Sequence, residues 1–414
     1  MNRCFLAVSL LLLLLVPPQG HAEGPAETDL QIWHGYRAAE RTALEQAVAA
    51  YNKARAGSGV KATLRNIPSD AFTDKISAAV PRGVGPDVFI FPQDRLGGWV
   101  ESGNILEPLD FFLDEPLRKR FIPSTLEAMT YRGSVYALPL NFKVLTLIYN
   151  KKLLPKPPRT TQDMVEACAK LPGKRADTPC LVYPYTDFYY HAALMNAFGG
   201  RVFDPGPTPR LDAPENVKAL ELLMRWVDKD KLLPPEPSTA LTTSLFNAGK
   251  AAMVFSGPWF LGEVAPEIDY GLALLPTVNE AGGKPMRPWM TVEGVAVAAP
   301  SKHKEQAFDF VNFLTGPEGE RLMALVGRQN PALQQSYDEP AIAQDPVLKA
   351  FRAQAEFAVP LPNLAEMTMV WSPMTSAMNA IVRKASPPKA ALQEAQKAVQ
   401  RDVEGLRRKR SPAP

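Results

Sequence analysis

Aromatic residues next to acidic, basic or amide residues recur in this chain at the ends of apolar runs. The places are Trp33-His34-Gly35-Tyr36, Phe91 with Asp94 and Arg95, and Asp187-Phe188-Tyr189-Tyr190. Gly257-Pro258-Trp259-Phe260 and Met367 to Trp371 repeat the pattern further on. A flat ring packs on the apolar C–H face of a saccharide, while neighbouring carboxylate, guanidinium and amide groups bond its hydroxyls. Taken singly, each place is more often core packing than a binding surface. Their repetition at element ends is the signal. The stretch FPQDRLGGW, residues 91 to 99, holds both readings: Asp94 suits a helix cap and Gly97-Gly98 a plain turn.

Other chemistries are poorly served. Only four histidines occur, without H-E-x-x-H or C-x-x-C, so no metal site or cofactor is expected. No Walker A sequence is present. Asp94 and Asp187 could form the carboxylate pair of a secreted glycoside hydrolase, but nothing in the sequence marks one of them as an acid of raised pKa. A net charge of +3, with both signs interleaved, gives no field for nucleic acid.

The elements that must position these residues alternate. Leu30 to Trp33 reads as a strand, then Leu44, Ala47, Val48 and Tyr51 mark one face of a helix. Val60 to Leu64, a helix near Phe72 to Ala79, and the apolar strand Val88 to Phe91 continue the repeat. Phe142 to Tyr149 reads as one long apolar strand, with further strands at Ala251 to Ser256 and Val292 to Ala299. Ala307, Phe310, Val311 and Leu314 mark a helix, as do Leu392, Ala395, Val399 and Leu406. Such alternation predicts α/β architecture with largely parallel sheets, and 414 residues suggest two lobes. Arg3, the apolar run Phe5 to Val16 and small residues at Gly20 to Ala22 have the layout of a signal peptide over residues 1–22. The run is shorter than the ~20 residues that span a bilayer. Export makes a disulfide between Cys168 and Cys180 the expected state, with two buried thiols as the alternative.

In order along the chain, GPDVFIFPQDRLGGWVESG (85–103), LTLIYNKKLLPKPPRT (145–160), FNAGKAAMVFSGPW (246–259), YGLALLPT (270–277) and PNLAEMTMVW (362–371) resemble the extracellular solute-binding proteins of sugar ABC importers. The resemblance is to the branch that binds maltose and maltodextrins, and it covers nearly all of the mature chain. It implies the two-lobe periplasmic-binding-protein fold (class II-like), with a hinge and a sugar in the cleft. The first lobe would take 28–141 and 294–340, the second 142–293 and 341–406, leaving 407–414 as a disordered basic tail. A monomer in the periplasm would hand an oligosaccharide to the membrane permease subunits of an ABC importer. A sensor role, another sugar, or an anionic sugar phosphate are the alternatives.

The same resemblance implies the site residues. Trp259 and Trp371 would stack on the sugar, and Asp187 and Tyr189 would reach it from the same lobe. Phe91, Asp94 and Arg95 would meet it from the first lobe, joined by Trp33 and Tyr36 from a W-H-G start like that of other sugar-binding members. Gly97-Gly98 would let the next helix begin close to the sheet. Two positions depart from the pattern. Phe91 replaces a usual tryptophan, and Lys143 stands where maltose binders carry a carboxylate. Lys143 could pair with a cleft acid such as Asp94, Asp187 or Glu293, donate to a neutral sugar, or neutralise an anionic one.

Overall fold

The computed structural model describes residues 28–171, 179–204 and 206–410. The expected signal peptide and residues 411–414 of the expected tail lie outside the described residues. Two larger sheets organise the chain. In the first, Thr28–His34 pairs in parallel with both Val60–Asn66 and Val88–Pro92. Trp289–Val297 then joins Val88–Pro92 antiparallel, followed by Leu138–Lys143 and Asn330–Pro331. In the second, Thr146–Asn150 lies antiparallel between Tyr270–Ala273 and Met253–Ser256, and Leu181–Val182 adds in parallel.

The sheets are therefore mixed rather than mostly parallel. The reason lies in the chain path: Leu138–Lys143 and Trp289–Val297 enter or leave the first sheet by way of the other lobe. They do not belong to a strand–helix–strand unit, so nothing requires them to run parallel. The expected single strand Phe142 to Tyr149 is two strands in different sheets, joined through buried Val144 and Leu145. Pairing also places Phe142, Lys143 and Thr291 to Glu293 in the first sheet, outside the expected first-lobe ranges.

Both faces of the first sheet are buried, and residue parity decides which face each side chain takes. Leu30, Ile32, Val88, Ile90, Val295 and Val297 pack on one side with the helix Ala38–Ala54, through Leu44, Ala47, Val48 and Tyr51. Trp33, Phe89, Phe91, Val292 and Ala296 pack on the other, with Phe72, Ile76 and Trp99. The second lobe closes over a core containing Tyr185, Phe188, Trp226, Met367 and Val370. Its last helix, Pro388–Arg410, buries Leu392, Ala395, Val399 and Val403 and runs through the first residues of the expected tail.

Buried Gln93 ties the lobes together: its amide accepts from Val292 N at 2.7 Å and donates to the Leu361 carbonyl at 2.6 Å. Beside it, Gly97 approaches the other lobe and not the sheet. A Cβ there would lie 2.5 Å from Ala365 N and the Asn363 carbonyl, so only glycine fits.

Cys168, at the end of the helix Thr161–Ala169, is joined by a disulfide to Cys180, with Cα atoms 5.7 Å apart. Closing this short loop is worth about 3 kcal/mol in the chain-entropy model. Thiol labelling of the unreduced, unfolded mature protein should leave both cysteines unmodified, and the Cys168→Ser, Cys180→Ser pair should lose stability of that order in urea. Labelling of both would show that the bridge does not form.

Candidate functional site

A cavity of about 370 Å³ separates the lobes. Tyr36, Arg37, Glu40, Ile90, Arg95, Lys143 and Glu293 line it from the first lobe, and Trp259 from the second. Its floor is ionic. Lys143 ends the strand Leu138–Lys143 and is 7% exposed. An ammonium so placed persists only if paired. Its Nζ lies 2.9 Å from Glu40 Oε1, in the first turn of the helix Ala38–Ala54, and 2.9 Å from Glu293 Oε2, on the strand Trp289–Val297. Burial acts to lower the Lys143 pKa, but Glu293 and Glu40 more than offset it and hold it above the ordinary lysine value.

Tyr36 completes this floor. Its hydroxyl donates to Glu293 Oε2 at 2.6 Å and accepts from Asn141 Nδ2 at 3.1 Å, and its ring centroid is 5.1 Å from Lys143 Nζ. The Gln329 amide donates to Glu40 Oε1. The turn that presents Tyr36 depends on buried His34, whose Nδ1 accepts from the Tyr36 backbone N–H at 3.1 Å. That bond requires an unprotonated Nδ1. Burial, helped by Arg41 and opposed by Glu45, lowers the His34 pKa to about 4.

The second lobe supplies an aromatic wall. Asp187 caps the helix Phe188–Ala197, accepting from Tyr189 N at 2.9 Å. It is open to water, yet the surrounding concave wall desolvates its carboxyl enough to raise the pKa against the Tyr189 N–H. Tyr189 stands 6.2 Å from Trp259 and 6.3 Å from Trp289, ring centroid to centroid. Trp371 meets Trp289 edge-on at 5.8 Å, so buried Trp289 backs the partly exposed Trp371. Trp259 lies across Gly257, where a Cβ would come within 2.2 Å of the ring, and its Nε1 donates to Tyr190 Oη at 3.3 Å.

Charged groups bridge the two walls. Arg95 Nε lies 3.1 Å from Asp94 Oδ2, and its guanidinium carbon is 6.0 Å from the Trp371 ring centroid. Burial raises the Asp94 pKa; Arg95, a backbone N–H and, least, the Trp371 indole oppose that. Arg37 Nη2 reaches Glu263 Oε1 in the other lobe at 3.0 Å, and Thr243 Oγ1 holds Glu263 at 2.9 Å. An interlobe cavity with an ionic floor facing tilted and edge-on aromatics suits a ligand with apolar faces and a hydroxyl rim.

Residues 36–321 match the family described as bacterial extracellular solute-binding protein. The chain belongs to this family. Among relatives of this solute-binding protein is the maltotriose-binding protein of Pyrococcus abyssi, 31% identical over 80% of this chain and 73% of its own length. The galactooligosaccharide-binding protein of Bacillus subtilis is 27% identical over 94% of this chain and 93% of its own. In structure it is similar to the maltose/maltodextrin-binding domain from Bdellovibrio bacteriovorus bound to maltotriose, with a TM-score of 0.84, 26% identity, and coverage of 91% and 100%.

Of the expected site residues, Tyr36, Arg95, Lys143 and Trp259 line the cavity. Asp94, Asp187, Tyr189 and Trp371 adjoin them through the contacts above. Trp33 and Phe91 do not. Phe91 is 1% exposed and packs on Phe89 and Trp99 at 5.6 and 5.1 Å. Trp33, the register partner of Phe89, shares that sheet face, with Arg65 5.0 Å above its ring. Strand parity turns Ile90 to the cavity instead. Glu40, Arg37 and Trp289 were absent from the expectation. Glu40 had a usable signal: it follows closely after a strand's carboxyl end, where open α/β sheets place ligands.

Two measurements follow from the floor. Lys143→Gln leaves buried Glu40 and half-buried Glu293 without their cation, and urea unfolding should show a loss of about 3–5 kcal/mol. Unchanged stability in this variant contradicts the pairing. For His34, the folded pKa is depressed, so the unfolded chain binds the proton first. Its contribution, roughly 3 kcal/mol by linkage, is present above pH ~6.5 and lost as pH falls toward 4. His34→Asn keeps an acceptor without titrating in this range, so its stability should fall less steeply than that of the wild type. Part of the slope should remain, because burial lowers the His191 pKa to about 3.

Proposed function

We propose that this protein is the exported binding component of an ABC importer, taking maltodextrin-type oligosaccharides into the interlobe cleft. The carrying observation is the aromatic wall of Tyr189, Trp259 and Trp371 opposite hydroxyl-bonding groups of the first lobe. The maltotriose ligands of its relatives agree with that chemistry. Trp259 and Trp371 stack on sugar faces. Tyr36, Asp94, Arg95, Asp187 and Tyr189 bond hydroxyls, and Trp33 and Phe91 support the sheet behind them.

The function is binding without catalysis. Burial raises the pKa of both Asp94 and Asp187, but Asp94 is engaged with Arg95 and Asp187 with a helix N-terminus, so neither is free to act as half of an acid–base pair. Sugar bridging the walls favours the closed form by hinge bending. The closed monomer docks in the periplasm on permease subunits, after removal of a signal peptide near Ala22.

Trp259→Ala and Trp371→Ala should each weaken maltotriose binding by about 1–3 kcal/mol, the worth of burying a large apolar side chain. Calorimetry with unchanged affinity in both variants would overturn the stacking assignment. Reducing sugar released over time from a maltodextrin would overturn the absence of catalysis. Tighter binding of a galactooligosaccharide than of maltotriose would move the ligand class.

A further inference from the structure

We propose that Lys143, Glu40 and Glu293 form a selectivity floor that admits saccharide hydroxyls and rejects anionic saccharides, whether phosphorylated or carboxylated. The inference rests on oligosaccharide binding in this cleft and specifies what the cleft excludes.

In the sequence, Lys143 leaves three readings open: a partner for a cleft acid, a donor to a neutral sugar, or a site for an anion. Its surroundings favour the first. Lys143 Nζ contacts Glu40 and Glu293, both at 2.9 Å, and a third side is covered by the face of Tyr36. One ammonium against two carboxylates leaves the group with a net negative charge. The other basic residues on the cavity wall are also engaged, Arg37 with Glu263 and Arg95 with Asp94. An incoming phosphate would meet excess negative charge and would have to break an existing ion pair to gain a cation. A neutral sugar meets carboxylates that only accept, which is what its hydroxyl hydrogens require. Repulsion of the wrong ligand discriminates even where attraction to the right one is modest.

Lys143 is thus a positioning residue. It holds Glu40 from a helix and Glu293 from a strand together at one depth, where two bare carboxylates would repel.

The test is titration calorimetry of the mature protein with maltotriose and with maltotriose 6-phosphate. The wild type should bind the phosphorylated sugar at least roughly 100-fold more weakly, the scale of a close like-charge contact. The ratio should shrink as salt screens the repulsion. In Glu40→Gln/Glu293→Gln the ratio should fall to about tenfold or less. Because the wild-type ratio and its salt dependence decide the matter, a variant that fails to fold removes nothing. Equal or tighter binding of the phosphorylated sugar by the wild type overturns this inference alone and leaves oligosaccharide binding intact. A ratio unchanged by salt, or retained in the folded double variant, assigns rejection to shape and also overturns it. If maltotriose does not bind, the maltodextrin reading fails. The same comparison then runs on the neutral saccharide that does bind and its phosphorylated form, and binding of no saccharide overturns both.

Discussion

A lysine ammonium removed from water must find opposite charge or lose its proton, and Lys143 finds two carboxylates from separate elements. That requirement governs much of the first lobe. The strand carrying Lys143 must lie beside the strand carrying Glu293, and the helix carrying Glu40 must begin directly above them. Tyr36, steered by His34, fills the remaining side. Immediately after Lys143 the chain passes through Val144 and Leu145 into the other sheet. The charged floor therefore sits at the root of an interlobe crossing.

In the proposed function the two walls divide the work of recognition. Carboxylates and hydroxyls are directional and need fixed positions, which strand pairing gives Glu293 and the helix Ala38–Ala54 gives Glu40. Aromatic faces tolerate small shifts, because apolar burial is not directional. They stand on the other lobe, at a helix start (Tyr189), in the turn after a strand (Trp259) and at the head of the helix Trp371–Val382. Arg95 over Trp371 and Arg37 against Glu263 span the gap between the lobes without any ligand.

The alternation of strands and helices, the amphipathic helices, the paired cysteines and the aromatic wall were legible as sequence. Periodicity and turn chemistry are local and survive without a fold. What failed was orientation. Val88 to Phe91 is buried on both faces, so its unbroken apolar run carries no alternation to tell Phe91 from Ile90. The same lack of punctuation hid the lobe change inside Phe142 to Tyr149, since Val144 and Leu145 are as apolar as the strands they join. Lys143 was visible as an anomaly, and pairing with Glu293 was among its readings. Glu40 was missed, although its place soon after a strand's carboxyl end was a usable signal.

A crystal structure of the mature protein with maltotriose bound tests most directly whether Lys143 serves the protein or the ligand. The expected result places the sugar between the floor and the rings of Trp259 and Trp371, with Lys143 still paired to Glu40 and Glu293 and with hydroxyls on the carboxylates. A sugar elsewhere on the protein, or a Lys143 ammonium released from both carboxylates onto the ligand, would contradict this account.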